Sequence, residues 1–422
     1  MASTINIVTS GCTHGELDVL YKTVEELESQ SGKKVDLVIC CGDFQAVRNW
    51  GDLEYMNCPP KYRALGTFYK YYSGMEKAPY LTIFIGGNHE ASSYLSELPY
   101  GGWVAPNIYY MGFSSVVQFA GLRIAGLSGI FNYFNYNKGH YECVPYTRET
   151  ATSIYHVRSI DIFRLKQLEG SGKIDIMLTH DWPCGITKYG NEAELLRIKP
   201  YFRNDINTNK LGNPHTMEIL KMLKPSYWFS AHMHVKFAAL VDHGDDSFTR
   251  FLALDKPIPG RQFLQLLEIP IEEGAEKVLK YDESWLSILQ NTDHLTVISN
   301  HDNYMPNSYS TQERYDFKPT EEEKTKVRKI FLEGYTIPTE FLMTAPPHIE
   351  DNVDSLNQGR GLSYENPQTT NLCEKLNIID INKLFYQKAN ANYQGIPHYR
   401  LTGHIHDSLN AEISIDDLPD SP

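Results

Sequence analysis

Short apolar runs recur along this chain, and five of them end abruptly in a glycine, a metal-binding side chain or both. Tyr80 to Ile85 runs into Gly86-Gly87-Asn88-His89-Glu90, and Ile5 to Thr9 into Ser10-Gly11-Cys12-Thr13-His14-Gly15. Val35 to Cys41 ends at Gly42-Asp43, Ile174 to Thr179 at His180-Asp181, and Tyr227 to Ala231 at His232-Met233-His234. An uninterrupted apolar run of this length reads as a buried strand, and glycine at its end lets the backbone turn sharply. Side chains just beyond strand ends gather along one edge of an open α/β sheet, which is where sites assemble. The repetition predicts a single site built from five segments.

Between the strands, Glu16 to Ser29 carries Leu17, Leu20, Val24 and Leu27 at helical spacing beneath an acidic face. Leu122 to Ser128 is a further strand, and the alternation up to about residue 130 predicts a layered α/β core. Ile130 to Tyr146 breaks that rhythm, with Asn, Tyr and Phe interleaved around Lys138 and His140. A loop this long and aromatic is either a binding loop or disordered; aromatics beside basic residues suit stacking on unpaired bases. Tyr155-His156-Val157-Arg158 then leads into a helix through Leu168, with Arg158 either reaching a phosphate or simply solvated.

Asn213 to Leu223 reads as a helix with Pro214 in its first turn. Strands at Tyr227, Lys236 to Val241, Arg250 to Leu254 and Phe263 to Ile269 predict a second sheet facing the first. Beyond Pro270 the pattern changes: helical stretches lie within 280–300 and at Glu321 to Phe331, and Pro346 to Pro367 is polar and broken. The expected organisation is a catalytic unit over 1–270, a smaller C-terminal domain over 271–370, and a weakly ordered polar tail over 371–422. The end of that tail holds Asp407, Glu412, Asp416, Asp417 and Asp420 with no Lys or Arg, which favours disorder.

Composition narrows the function. At 422 residues with 41% hydrophobic content, the chain can bury a large core. A net charge of -13 argues against broad nonspecific nucleic-acid binding, which depends on many Lys and Arg contacts to phosphate. It leaves room for a compact site where metal ions supply the positive charge for one phosphate. The seven irregularly spaced cysteines read as reduced thiols, and no apolar run is long enough for a membrane helix. Without a recognisable secretory signal, the expectation is a soluble intracellular protein.

Collected, the candidates are Cys12, His14, Asp43, Asn88, His89, His180, His232 and His234. Imidazole and carboxylate suit Zn, Fe or Mn ions, and Asp43, directly after a glycine at a strand end, is the natural bridging carboxylate. Two ions about 3.5–4 Å apart can neutralise a phosphate and lower the pKa of a bound water toward about 7. His89 could then protonate the leaving oxygen. Cys12 is either a ligand or a small buried thiol packed at a strand end. Gly403-His404-Ile405-His406 mimics the His232-Met233-His234 motif, but it lacks a preceding strand.

In order and spacing, these motifs resemble those of the calcineurin-like metallophosphoesterases, with Cys12 where that family usually has aspartate and Ala231 in place of a glycine. Gly42 to Gln45, Pro59 to Tyr62, Tyr155 to Arg158, Thr179 to Pro183 and Phe251 to Lys256 further resemble the RNA lariat debranching enzymes. The resemblance implies an α/β four-layer α-β-β-α sandwich that hydrolyses the 2′,5′-phosphodiester of intron lariat branch points, one or two divalent ions of iron, zinc or manganese, branched intron RNA as partner, and a nuclear location. It implies that Asn88, His180 and His232 hold one ion together with Asp43, and that His14 and His234 line a second pocket against the same Asp43, with Cys12 beside it. It also places a lariat-recognition loop over 129–158, within which Tyr133, Lys138, His156 and Arg158 are candidate substrate contacts. A monomer that stays off membranes is expected. The rival readings are a phosphoesterase of the same fold acting on small molecules or phosphoproteins, and an RNA-binding scaffold with a structural site.

Overall fold

The computed structural model describes residues 3–309, 314–350 and 364–385. Its strands are β1 (Ser3–Ser10), β2 (Leu37–Cys40), β3 (Thr82–Phe84), β4 (Gly102–Ala105), β5 (Ile108–Tyr110), β6 (Ser114–Phe119) and β7 (Leu122–Leu127). They continue as β8 (Ile176–Thr179), β9 (Tyr227–Ser230), β10 (Phe237–Asp242), β11 (Phe248–Ala253), β12 (Leu264–Ile271) and β13 (Lys280–Tyr281). One sheet has the order β12-β1-β2-β3-β5-β4, the other β10-β11-β9-β8-β7-β6-β13.

The alternation of side chains along each strand sorts the apolar residues into three layers. Ile5, Ile7, Leu37, Ile39, Ile83 and Ile85 of the first sheet meet Ile124, Ile176, Leu178 and Phe229 of the second, sealing the two sheets face to face. On the far side of the first sheet, Val8, Val38, Cys40 and Phe84 pack with Leu20, Tyr21 and Val24 of the helix Leu17–Ser31. On the far side of the second, Ala125, Met177 and Trp228 pack with Ile162 and Leu165 of the helix Ser159–Lys166 and with Ile219 and Leu220 of the helix Pro214–Leu223. The result is a four-layer α-β-β-α sandwich. Asn213 caps the last of these helices, its side chain accepting from the His215 N–H at 2.9 Å.

Three features depart from the sequence reading. Phe263 to Ile269 does not join the second sheet: β12 runs antiparallel to β1, pairing Ser3 with Ile271 through to Ser10 with Leu264, while β10 and β11 extend the second sheet. Strand identity is local, but the choice of sheet depends on a partner more than 250 residues away in sequence, as the Ser10 to Leu264 pairing requires. Strands β4, β5 and β6 also escaped the reading, because Ser, Gln, Gly and Tyr break up their apolar runs. Finally, the boundary at 370/371 cuts through the helix Pro367–Leu376, whose Leu372, Cys373 and Leu376 are buried, and Ile381 is buried beyond it.

The C-terminal segment shares its apolar layer with the sandwich. Trp285, Leu286, Ile288 and Leu289 of the helix Glu283–Asn291, with Val327, Phe331 and Leu376, belong to the same cluster as Ile162, Leu165 and Trp228. Strand β13 adds itself to the edge of the second sheet against β6. Residues 386–422, with the Gly403 to His406 motif, lie outside the described residues.

Candidate active site

Strands β1, β2 and β3 are mutually parallel, as are β7, β8 and β9, so their following loops emerge along one edge of the sandwich. Those loops are sharply bent. His14, Asp43, Gln45, His232 and His234 all adopt left-handed backbone, with φ of 48°, 44°, 58°, 66° and 47°. Such conformations cost energy in non-glycine residues and cluster where side chains must be aimed inward. The glycines make room for the crowding: a Cβ at Gly42 would lie 2.2 Å from His180 Nδ1, and one at Gly87 would lie 2.2 Å from Asp43 Oδ1.

The bent loops bring the predicted residues together. Donor atoms of Cys12, His14, Asp43 and His234 lie within 4.8 Å of one another. His14 Nε2 is 3.2 Å from His234 Nε2 and 3.9 Å from Asp43 Oδ2. On the other side of Asp43, His180 Nε2 stands 3.3 Å from Asp43 Oδ1 and 3.1 Å from Asn88 Oδ1, and the His232 ring is centred 4.9 Å from that of His180. Asp43 therefore lies between the two sets, as a bridging carboxylate must. Cys12 belongs both to the inter-sheet core and to the cluster, and its Sγ accepts the His232 N–H at 3.3 Å.

This donor set fits divalent metal ions. The carbonyl of Cys41 holds His180 Nδ1 at 2.8 Å, so Nδ1 carries a hydrogen and Nε2 turns toward two oxygens. Facing lone pairs need a cation or a proton among them. Asp43 Oδ2 is buried with no hydrogen-bond partner among the described residues, which is costly for a carboxylate unless positive charge sits beside it. Burial works against the charged form of Asp43, yet the neighbouring His180, His89 and His14 outweigh it and hold the carboxyl well below the usual carboxylate range. Burial likewise disfavours protonated His180, but Asp43 raises its pKa overall.

Two residues given no role in the sequence reading orient this cluster. Glu90 is buried and accepts from the N–H groups of Phe44, Gln45 and Gly87 at 2.8, 2.8 and 3.0 Å, pinning the Asp43 turn to the Gly86-Gly87 turn. Burial, then the charge of Asp43, pushes its carboxyl up to about 7. Gln45 Nε2 lies 3.0 Å from His14 Nδ1 and so leaves Nε2 of that ring facing the cluster. Both stood in visible motifs, Gly42 to Gln45 and Asn88 to Glu90, but their work is done on backbone groups that a sequence does not display.

His89 borders this cluster. Its N–H donates to Asp43 Oδ1 at 2.8 Å, its Nδ1 donates to the Asn57 carbonyl at 3.0 Å, and its ring is centred 6.0 Å from that of His14. A carbonyl can only accept, so Nδ1 carries the hydrogen and Nε2 is the nitrogen through which a proton would pass.

The segment 129–158 is ordered, stitched at its base by Val157 N to Ile130 O at 2.9 Å and Ser159 N to Tyr136 O at 2.6 Å. Its four candidate contacts are placed differently. Tyr133 is 78% exposed and meets Phe134, 76% exposed, edge to face. Lys138 is half-buried, its Nζ 5.8 Å from the Tyr141 ring centre. His156 is buried with Nδ1 2.8 Å from Asn135 Nδ2; burial first, then Arg158 and Lys138, lower its pKa to about 3. Arg158 is neither solvated nor presented to a ligand: it is fully buried, pairs with Glu142, and donates to the carbonyls of Gly139, Asn135 and Ser153. Guanidinium carries five donors, which makes it an effective internal brace for a loop without a regular backbone ladder.

The fold and this edge cluster define a calcineurin-like metallophosphoesterase. Residues 5–236 match the family model of the calcineurin-like phosphoesterases, and residues 246–381 match that of the lariat debranching enzyme C-terminal domain. The lariat debranching enzyme of Caenorhabditis elegans is 49% identical across 98% of this chain and 85% of its own length. The human one is 50% identical across 90% of this chain and 70% of its own length, and that of Drosophila pseudoobscura pseudoobscura is 47% identical across 89% and 77%. The chain belongs to the lariat debranching enzyme family. Among the described residues no helix is long and apolar enough to cross a membrane, and all seven cysteines are free thiols.

Proposed function

We propose that this metal-dependent phosphodiesterase hydrolyses the 2′,5′-phosphodiester at the branch point of excised intron lariats, opening the intron for turnover. The observation that carries the reading is Asp43, a buried carboxylate set between Asn88, His180 and His232 on one side and Cys12, His14 and His234 on the other. Those two sets would hold one or two divalent ions drawn from Fe²⁺, Zn²⁺ and Mn²⁺; bound there, the ions would neutralise phosphate charge and acidify water.

The chain's own residues supply the rest. The site edge seats the phosphate, and water adds to phosphorus as the bond to the 2′-oxygen breaks. His89 passes a proton to that departing oxygen from Nε2 while Asn57 fixes Nδ1. Tyr133 and Phe134 offer exposed rings on which bases beside the branch can stack. Lys138 on the same segment supplies a positive charge for a neighbouring phosphate, while His156 and Arg158 keep that segment in shape. A branched RNA partner would put the protein in the nucleus, where introns are excised, and one site per chain is compatible with a monomer.

The test is reconstitution. Protein stripped by chelator under anaerobic reducing conditions is given Fe²⁺, Zn²⁺ or Mn²⁺ singly and assayed on a synthetic 2′,5′-branched RNA. Recovery with at least one ion supports the reading; full activity in the stripped protein, or none with any ion, overturns it.

A further inference from the structure

Among the contacts that aim His89 is the Asn57 carbonyl on its Nδ1, and that carbonyl is itself firmly held. Asn57 is the centre of a three-residue turn closed by the Cys58 N–H on the Met56 carbonyl at 2.9 Å. Cys58 precedes Pro59 and Pro60, and a residue before proline is confined to extended backbone. The turn is therefore stiff on its downstream side. Upstream, Tyr55 packs edge to face against Tyr146 at 5.2 Å and joins Ile154 in a small buried cluster of its own. The side chain of Asn57 completes the attachment, its Nδ2 donating to the Tyr155 hydroxyl at 2.7 Å.

Tyr146, Ile154 and Tyr155 all belong to the recognition segment. Tyr155 also supplies the carbonyl that takes the Ile130 N–H at 3.2 Å where that segment leaves the sheet. A Cβ at Gly129 would lie 2.0 Å from the same carbonyl, so the base of the segment is tightly packed there. One residue, Asn57, thus touches the proton donor with its main chain and the substrate-recognition segment with its side chain.

Resting on the reading of His89 as general acid, we propose that Asn57 is a positioning residue. Through its tie to Tyr155 it couples the seating of RNA on the recognition segment to the orientation of the His89 ring. The main-chain carbonyl fixes which nitrogen of His89 delivers the proton, and the side-chain tie fixes where the carbonyl points. A branched RNA that settles the segment therefore settles the acid, whereas a substrate too small to reach the segment does not.

The experiment uses full-length, metal-loaded Asn57→Ala and Tyr155→Phe, each of which removes the same hydrogen bond from a different end, with His89→Ala as reference. Each is assayed on a branched RNA, whose 2′-oxygen is a poor leaving group that needs a proton, and on bis(p-nitrophenyl) phosphate, whose phenolate leaves without one. The expected result is a fall in kcat on branched RNA of about 3- to 30-fold in both variants, a fraction of the ~10²–10⁴-fold available from general acid catalysis, with KM nearly unchanged. Activity on the aryl ester stays near wild type, and the double variant is no worse than either single one. Equal losses on both substrates, or a change in KM alone, would overturn the coupling. If His89→Ala itself lowers both substrates equally, the general-acid reading falls first; if His89→Ala shows the split and the Asn57 and Tyr155 variants do not, only the coupling falls.

Discussion

At Asp43 three demands meet. It is fully buried, its backbone is left-handed at φ 44°, and its Oδ2 has no hydrogen-bond partner among the described residues. Each of these is unfavourable in a protein without bound cations, so metal binding should be felt as stability. Chelation is expected to lower the melting temperature of the wild-type protein, since an ion at about 100 times its Kd stabilises by about 2.7 kcal/mol. Asp43→Asn removes the carboxylate charge between the two sets and should show no such response to chelator in a calorimetric scan. His156 gives a separate pH signature. Its pKa is lowered to about 3 in the fold against an ordinary value near 6.5, so the native state holds it neutral. The stability this costs appears only where the unfolded chain takes up a proton: full stability above about pH 6.5 is lost as pH falls from there toward 3. Between pH 7.5 and 5.5, urea titrations of the wild type should lose about 1 kcal/mol more than those of His156→Gln.

Among the elements, the strand ends and their motifs were readable from sequence because each is local. An apolar run, a glycine and a metal-binding type of side chain within a few residues announce themselves, as at Ile83 to His89. What could not be read depends on partners distant in the chain. Strand β12 pairs with β1 rather than with its sequence neighbours, and Glu90 and Gln45 act on turns from other loops. Arg158 is the sharpest case. Its sequence setting beside Tyr155 and His156 suggested a phosphate contact, but Glu142 and three carbonyls inside the segment claim its donors. Arg158→Ala leaves the buried Glu142 without its counter-charge, held by Ser153 Oγ and the Tyr141 N–H, and breaking a buried pair this way costs about 3–5 kcal/mol. Hydrogen exchange should accelerate across 129–158 in that variant. Unchanged protection and an unchanged melting temperature would return Arg158 to the surface role.

For the whole molecule, the two-sheet sandwich and the C-terminal segment share one apolar layer. Trp285, Ile288 and Leu289 face the same cluster as Trp228 and Leu165, and each such side chain left in water forfeits about 1.5–3 kcal/mol. A chain ending at residue 270 should therefore be insoluble, or should bind hydrophobic dye without a cooperative melt. A soluble, cooperatively folded fragment would show that the sandwich closes by itself. The same layer positions the segment 299–303 against the segment 129–158, where Gly139 N meets Ser299 O at 2.9 Å and Asn303 N meets Asn137 O at 2.7 Å. The C-terminal part thus braces the surface on which RNA is expected to lie.

The identity of the bond that is cut separates a debranching enzyme from a general phosphoesterase. The most direct measurement compares metal-loaded protein on a 2′,5′-branched RNA and on a linear 3′,5′ RNA of the same sequence, with His89→Ala in parallel. Cleavage confined to the branched bond, and reduced about 10²- to 10⁴-fold in His89→Ala while bound metal is unchanged, is the predicted result. Equal cleavage of the linear strand, or an undiminished His89→Ala, would contradict it and leave only a general phosphoesterase.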